Sequence, residues 1–211
     1  ILEERERLAG EMHDTLGQVL AYVNLKVLTA TQTLSSGMTD KALGELKDME
    51  KAVTAACADV RESILSLKTT VNEKKGLLAT LPDFLDRYSE QTGLKVELST
   101  GGLENARFAL ETEIQLLRIV QEALANVRKH ARATRAWLNI TGGPKEITFV
   151  VGDDGQGFDP ASIQQNPGNR FGLQIMKERA ERTGGRLEVA SSPGQGTRVV
   201  INVPRAALEG E

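Results

Sequence analysis

Cysteine is almost missing from this chain. Of 211 residues only Cys57 carries a thiol, so no internal disulfide can form, and a reducing, cytoplasmic setting is expected. Long apolar runs are missing too. Nothing approaches the roughly 18 consecutive apolar residues of a membrane span, and no membrane contact is expected of this stretch. A basic excess is also lacking: 26 Lys and Arg face 29 Asp and Glu, for a net charge of -3. That balance cannot neutralise a phosphate backbone, so nucleic acid is not the expected partner. No signal-peptide pattern is present, and the chain opens at Ile1 in an already charged helical phase, which reads as a fragment of something longer. With 40% hydrophobic and 26% charged residues, the composition fits an ordinary globule and excludes disordered and fibrous classes.

The scarcities are uneven. Residues 1–70 hold none of the six prolines, four of the twenty glycines and a single aromatic, Tyr22; residues 71–211 hold the rest. The first region carries 8 basic against 11 acidic residues and the second 18 against 18, so the acidic balance belongs to the first. The chain changes character near residue 70, and two domains are expected.

In the first region Leu8, Met12, Leu16, Val19, Val23, Val27, Ala30 and Leu34 recur at steps of three and four, the stripe of a long amphipathic helix. A second stripe runs Leu43, Leu46, Met49, Val53, Ala56, Val60, Ile64 and Leu67, with Leu46, Val53, Val60 and Leu67 in a strict seven-residue step. Ser35 to Asp40 supplies the Gly that ends one helix and the Thr or Asp that caps the next. Two helices alone enclose little apolar volume. A second hairpin is needed, most simply from another copy of the chain in a dimeric four-helix bundle, and a homodimer is expected.

The second region reads as mixed α+β. Leu77 to Gln91 and Leu110 to His130 have helical spacing, and Leu94 to Leu98 alternates like a strand. Ala136 to Thr141 and Glu146 to Val151 form an expected hairpin around Gly142-Gly143-Pro144. Phe171 to Arg182 returns to helix, and Arg186 to Ala190 and Arg198 to Val203 close as strands around Ser192 to Gly196.

Several groups could carry chemistry. His13 and Asp14 adjoin at the margin of the first stripe, where a neutral imidazole is a ready nucleophile and a carboxylate can hold its tautomer and take its proton. The same pair is also ordinary solvated helix surface. Gln18, one turn beyond Asp14, shares its face and could help position a water. Glu122, Asn126, Lys129 and His130 fall along one side of a helix: the first two offer hard oxygens suited to Mg2+, the last two donors for phosphate. A helix ending in Arg128-Lys129-His130 also complements its own dipole without binding anything. Asp153 emerges from a strand into a turn eased by Gly155 and Gly157, and its carboxylate can accept from an exocyclic amine such as that of adenine. Gly172 and Leu173 open a helix whose first amides could face phosphate, and Thr197 offers a hydroxyl at a strand start. Each of these has a plain turn or cap reading beside the functional one.

Their order carries more than any single member. Glu11 to Gln18, with His13-Asp14-Thr15-Leu16-Gly17-Gln18, closely resembles the phospho-acceptor box of two-component sensor histidine kinases of the HisKA_3 subfamily. Gln121 to Ala131 resembles that subfamily's N box, Asp153 to Phe158 its first glycine box, Phe171 to Gly185 its second and Gly194 to Thr197 its third. The likeness spans residues 3 to 204. It implies an α plus α/β fold: a dimerisation and histidine-phosphotransfer hairpin, then a GHKL-type α/β sandwich that binds ATP. It further implies His13 as the phosphorylated residue with Asp14 as its base, Asn126 on Mg2+ supported by Glu122, and Lys129 and His130 at phosphates. Asp153 would read the adenine amine with Thr197 helping through water, and Gly155, Gly157, Gly172 and Leu173 would shape lid and pocket. Pro160 to Arg170 fits a mobile ATP lid. The implied activity is ATP-dependent autophosphorylation with transfer to a response-regulator receiver domain, and phosphatase action in reverse. A dimeric interaction module with a degenerate nucleotide pocket is the alternative.

Overall fold

The computed structural model describes the backbone of residues 2–71, 75–103, 107–160 and 167–205, and the side chains of residues 17, 19–71, 75–103, 107–160 and 172–205. The chain divides into two compact units, Ile1–Lys68 and Thr69–Glu211. Among the described residues no helix is long and apolar enough to cross a membrane.

The first unit is a hairpin of α1 (Leu2–Ser35) and α2 (Thr39–Lys68). The break is sharp because Gly37 adopts φ 73, which lets the Met38 N–H reach back to the Thr33 carbonyl at 2.9 Å. Small side chains line the meeting faces: Ala30, Thr33, Ala42 and Ala56 are buried, and Val23, Met49 and Ala52 half-buried. Lys26 crosses to Glu45 and, at 3.6 Å, to Asp48.

The seven-residue stripe does not form this seam. Leu46 and Val53 remain 40% and 39% exposed, while the seam follows Ala42, Met49 and Ala56 one register earlier. Alanines let two helices approach closely; the bulkier Leu and Val are left on the flank, and Leu20, Leu25 and Leu28 are more exposed still, at 67%, 61% and 56%.

The second unit is an α/β sandwich. Its elements are α3 (Leu77–Thr92), β1 (Lys95–Gly101), α4 (Leu110–Asn126) running on as a π-helical turn (Val127–Ala131), β2 (Arg135–Gly142), β3 (Glu146–Asp153), α5 (Pro167–Arg182), β4 (Arg186–Ser191) and β5 (Thr197–Pro204). The five strands stand in the order β1-β2-β3-β5-β4, with β1 and β2 parallel and the other pairs antiparallel. Period-two alternation turns Ala136, Leu138 and Ile140, then Ile147, Phe149 and Val151, onto the helices, and all six are buried. From the other side Leu77, Leu81, Phe84 and Tyr88 of α3 and Leu116, Val120 and Leu124 of α4 fill the same core. The Tyr88 hydroxyl donates to the Leu124 carbonyl at 2.9 Å, tying α3 to α4 without leaving a buried polar atom unpaired.

Two details differ from the sequence reading. Gly172 and Leu173 do not open their helix, because α5 already begins at Pro167 and they fall in its second turn. Proline suits a first helical turn, where its missing N–H would have no partner. The helix after Leu110 also widens into a π turn over its last five residues, which rotates Lys129 and His130 away from the positions that 3.6 residues per turn would give them.

Candidate functional site

Asp153 is the last residue of β3 and is only 3% exposed. One carboxylate oxygen accepts the Gly155 N–H at 2.8 Å, and the Thr197 N–H also donates to the carboxylate. Burial nevertheless pushes this carboxyl above its usual range, the two N–H donors opposing the shift and the charge of Asp154 adding to it.

Its neighbour is spent differently. Asp154 accepts from the N–H groups of Arg135 and Thr134 at 2.9 and 2.8 Å and from the Thr134 hydroxyl at 2.7 Å. Those donors, the Arg135 N–H foremost, hold it down at about 2. Asp154 therefore pins the start of β2, and Asp153 is left as the acid available to a ligand.

Around Asp153 three segments are knitted together. Gly157 has φ 58 and lies against the Ser192 carbonyl, where a Cβ would have no room. The Gly194 N–H donates to the Gln156 carbonyl at 2.6 Å. Ser191, paired with Thr197 across β4 and β5, takes the Phe158 N–H on its hydroxyl at 2.9 Å. Gln156 also reaches the π turn, its N–H donating to the Ala131 carbonyl at 2.7 Å and its side-chain amide to the His130 carbonyl at 2.7 Å. These bonds explain how the widened turn is held: its last carbonyls find donors outside the helix. Gly155 packs directly beneath, against Ala131.

On α4, Glu122 and Asn126 are both half-buried and one turn apart. Both border Gly172: a Cβ there would collide with the Glu122 carboxylate and lie 3.8 Å from the Asn126 amide nitrogen. The glycine thus makes room for α5 to close over the two side chains. A carboxylate and an amide oxygen on successive turns are hard donors that fit Mg2+ when phosphate oxygens complete the shell. Among the described residues there is no group of three or more His, Cys, Asp or Glu that could hold a metal.

Lys129 and His130 are exposed on the π turn. Partial desolvation and then the Lys129 ammonium push His130 below its ordinary value. Leu173 is half-buried beside Gly172 on α5.

Other expected features fall elsewhere or outside the description. His13, Asp14 and Gln18 belong to α1, but their side chains lie outside the described residues, as do Leu8, Met12 and Leu16 of the first stripe. The expected lid, Pro160 to Arg170, includes residues 161–166, which also lie outside them. Sequence reasoning passed over Gln156, Ser191 and the Thr134–Asp154 clamp. Only strand register and loop closure bring these residues to the site, and neither has a local sequence signal.

Two families match the chain in succession. Residues 4–72 match HisKA_3, histidine kinase, and residues 111–207 match HATPase_c, the histidine kinase-, DNA gyrase B- and HSP90-like ATPases. The signal transduction histidine-protein kinase/phosphatase DegS of Brevibacillus brevis is 35% identical over 202 residues, covering 96% of this chain and 51% of that protein. The sensor histidine kinase LiaS of Bacillus subtilis (strain 168) is 30% identical over 204 residues, covering 97% of this chain and 55% of LiaS. The chain thus spans about half the length of these relatives. A solved structure, the histidine kinase domain of the Erythrobacter litoralis EL346 blue-light activated histidine kinase, matches over 98% of this chain and 99% of that one with a TM-score of 0.52. At 18% identity this is a likeness of fold.

Proposed function

Because the chain belongs to the sensor histidine kinases, we propose that it acts as their kinase core, with ATP held by residues 76–206 and the phosphoryl acceptor, His13, on the hairpin of residues 1–70. The observation that carries this reading is Asp153. It is a buried carboxylate kept ionisable by two backbone N–H donors and framed by two glycine-bearing turns and the π turn of residues 127–131. An acid so placed can accept from the 6-amino group of adenine, with Thr197 assisting through water.

The remaining roles follow from position and chemistry. Asn126, supported by Glu122, would hold Mg2+, which supplies charge neutralisation at the phosphates. Lys129 contributes a positive charge, and His130 donates a hydrogen bond from its ring N–H. Gly155, Gly157, Gly172 and Leu173 shape the walls. In the transfer a ring nitrogen of His13 forms a bond to the γ-phosphorus, the bond from that phosphorus to the β–γ bridging oxygen breaks, ADP leaves, and Asp14 takes the imidazole proton.

Two copies complete the hairpin as a homodimeric four-helix bundle, since Leu20, Leu25, Leu28, Leu46 and Val53 would otherwise face water. The phosphoryl group then passes to an aspartate of a response-regulator receiver domain in the cytoplasm. Gln18, an amide that can orient a water without itself attacking, serves the reverse hydrolysis. The name of DegS, a kinase/phosphatase, supports both directions.

The test is incubation with γ-labelled ATP and Mg2+, then acid. The wild-type chain should take up label that acid removes, as phosphohistidine demands, and His13→Gln should take up none while still binding ATP. Acid-stable label, or label persisting in His13→Gln, contradicts the assignment.

A further inference from the structure

Ser191 belongs to none of the glycine boxes, yet its hydroxyl sits among three polar neighbours. It donates to the Gly196 carbonyl at 2.9 Å, accepts the Phe158 N–H at 2.9 Å, and lies 3.1 Å from the Thr197 hydroxyl. A serine hydroxyl has one proton and two lone pairs. With the proton committed to Gly196 and one lone pair to Phe158, only a lone pair remains for Thr197. Thr197 as the donor in that pair is the one assignment that satisfies all three contacts at once.

The polarity of Thr197 follows. Its single hydroxyl proton points at Ser191, so its lone pairs are what it can offer a ligand or bridging water. Its backbone N–H is meanwhile spent on Asp153. The two groups at this end of the site, the Asp153 carboxylate and the Thr197 hydroxyl, are then both acceptors. A ligand edge that brings hydrogens, such as a 6-amino purine, satisfies them; a 6-oxo purine sets lone pairs against lone pairs.

We infer that Ser191 is a specificity-determining positioning residue, which selects 6-amino over 6-oxo purine nucleotides by fixing the Thr197 hydroxyl as an acceptor. The inference rests on the proposed reading of Asp153 and Thr197 as base contacts. Ser191 acts through Thr197 and need not touch the nucleotide. In its absence the Thr197 proton is free to rotate and donate to a 6-oxo group.

Displacement of the fluorescent nucleotide TNP-ATP from the 211-residue chain by ATP and by ITP, in the presence of Mg2+, tests this. The two competitors differ at the purine 6-position, an amino group against an oxo group. Wild type should prefer ATP, and Ser191→Ala should lower the ATP-to-ITP affinity ratio by about threefold to tenfold, the worth of one neutral hydrogen bond. Ser191→Thr, which keeps the hydroxyl, should restore the ratio. Equal weakening of both nucleotides in Ser191→Ala would reduce Ser191 to scaffolding and overturn the inference. Should Ser191→Ala not fold, Thr197→Val decides: a lowered ratio supports the inference, and an unchanged ratio overturns it. A wild-type chain from which neither nucleotide displaces the probe would contradict the ATP reading itself and the inference with it. Wild type that binds both equally would overturn the inference together with the contact of Asp153 to the 6-amino group, while nucleotide binding itself would stand.

Discussion

The two units solve the burial problem in opposite ways. In the sandwich, side chains from both layers bury one another completely: Leu77, Leu81, Leu116, Leu138, Ile140, Phe149 and Ile201 are all at 0–1% exposure or close to it within one chain. In the hairpin, the seam is built largely from alanines with Val23 and Met49 half-buried and Leu65 buried, while Leu20, Leu25, Leu28, Leu46 and Val53 stay exposed. A helix pair has two flanks and one seam, so it closes a core only when another pair covers a flank; a five-stranded sheet with helices on one face needs no such help. The second unit is therefore finished by its own sequence, whereas the hairpin leaves apolar flanks that the proposed dimer would cover.

The substitution that should break this contrast most strongly is Val53→Lys. In one chain Val53 is 39% exposed and a lysine costs little; in a closed bundle the ammonium would lose its water. The dimer dissociation constant, measured by analytical ultracentrifugation, should rise by about 100-fold or more, some 3 kcal/mol, with ATP binding by the sandwich unchanged. An unaltered dissociation constant would mean that this flank is not the covered one.

Asp153→Asn probes the sandwich instead. A buried acid whose folded value is raised above the ordinary 3.8 favours its protonated form in the fold. The stability this gives is fully present below that ordinary value and lost as pH rises through the raised one. At neutral pH the ionised Asp153 is thus a burden carried for binding. The Asn variant should lose ATP affinity yet melt higher at pH 7, with the gain shrinking as pH falls. A variant that melts lower at pH 7 would contradict this. Asp154 runs the other way: held at about 2, it stabilises above the ordinary value and loses that effect as pH falls toward 2.

The smallest structural effect is expected of Gln18→Ala, at about 0.5 kcal/mol of stability or less. Autophosphorylation should stay near normal while decay of a purified phospho-regulator slows. Equal decay with the two chains would remove Gln18 from the reverse reaction.

Much of this architecture was legible before any coordinates, and the reason is local. Helical and alternating periodicities, together with Gly37 and the Gly142-Gly143-Pro144 turn, mark most element ends to within a few residues. The acceptor box and the glycine boxes are contiguous, so each motif can be read where it stands. What escaped was set by contacts between distant segments. Of the second stripe, Met49 and Ala56 turn into the hairpin seam beside Ala42 while Leu46 and Val53 stay outside it, a division that periodicity does not announce. The π turn at Val127–Ala131 is held by Gln156, 25 residues beyond Ala131, and the helix α5 starts ahead of its apolar spacing. Ser191 meets Thr197 only through the β4–β5 register, which no local pattern announces.

The contrast between the units is tested most directly by the mass of the whole chain in multi-angle light scattering. At micromolar concentration the account predicts a single species of twice the 22.9 kDa chain mass, and a hairpin that stays at 22.9 kDa with its leucines in water would contradict it.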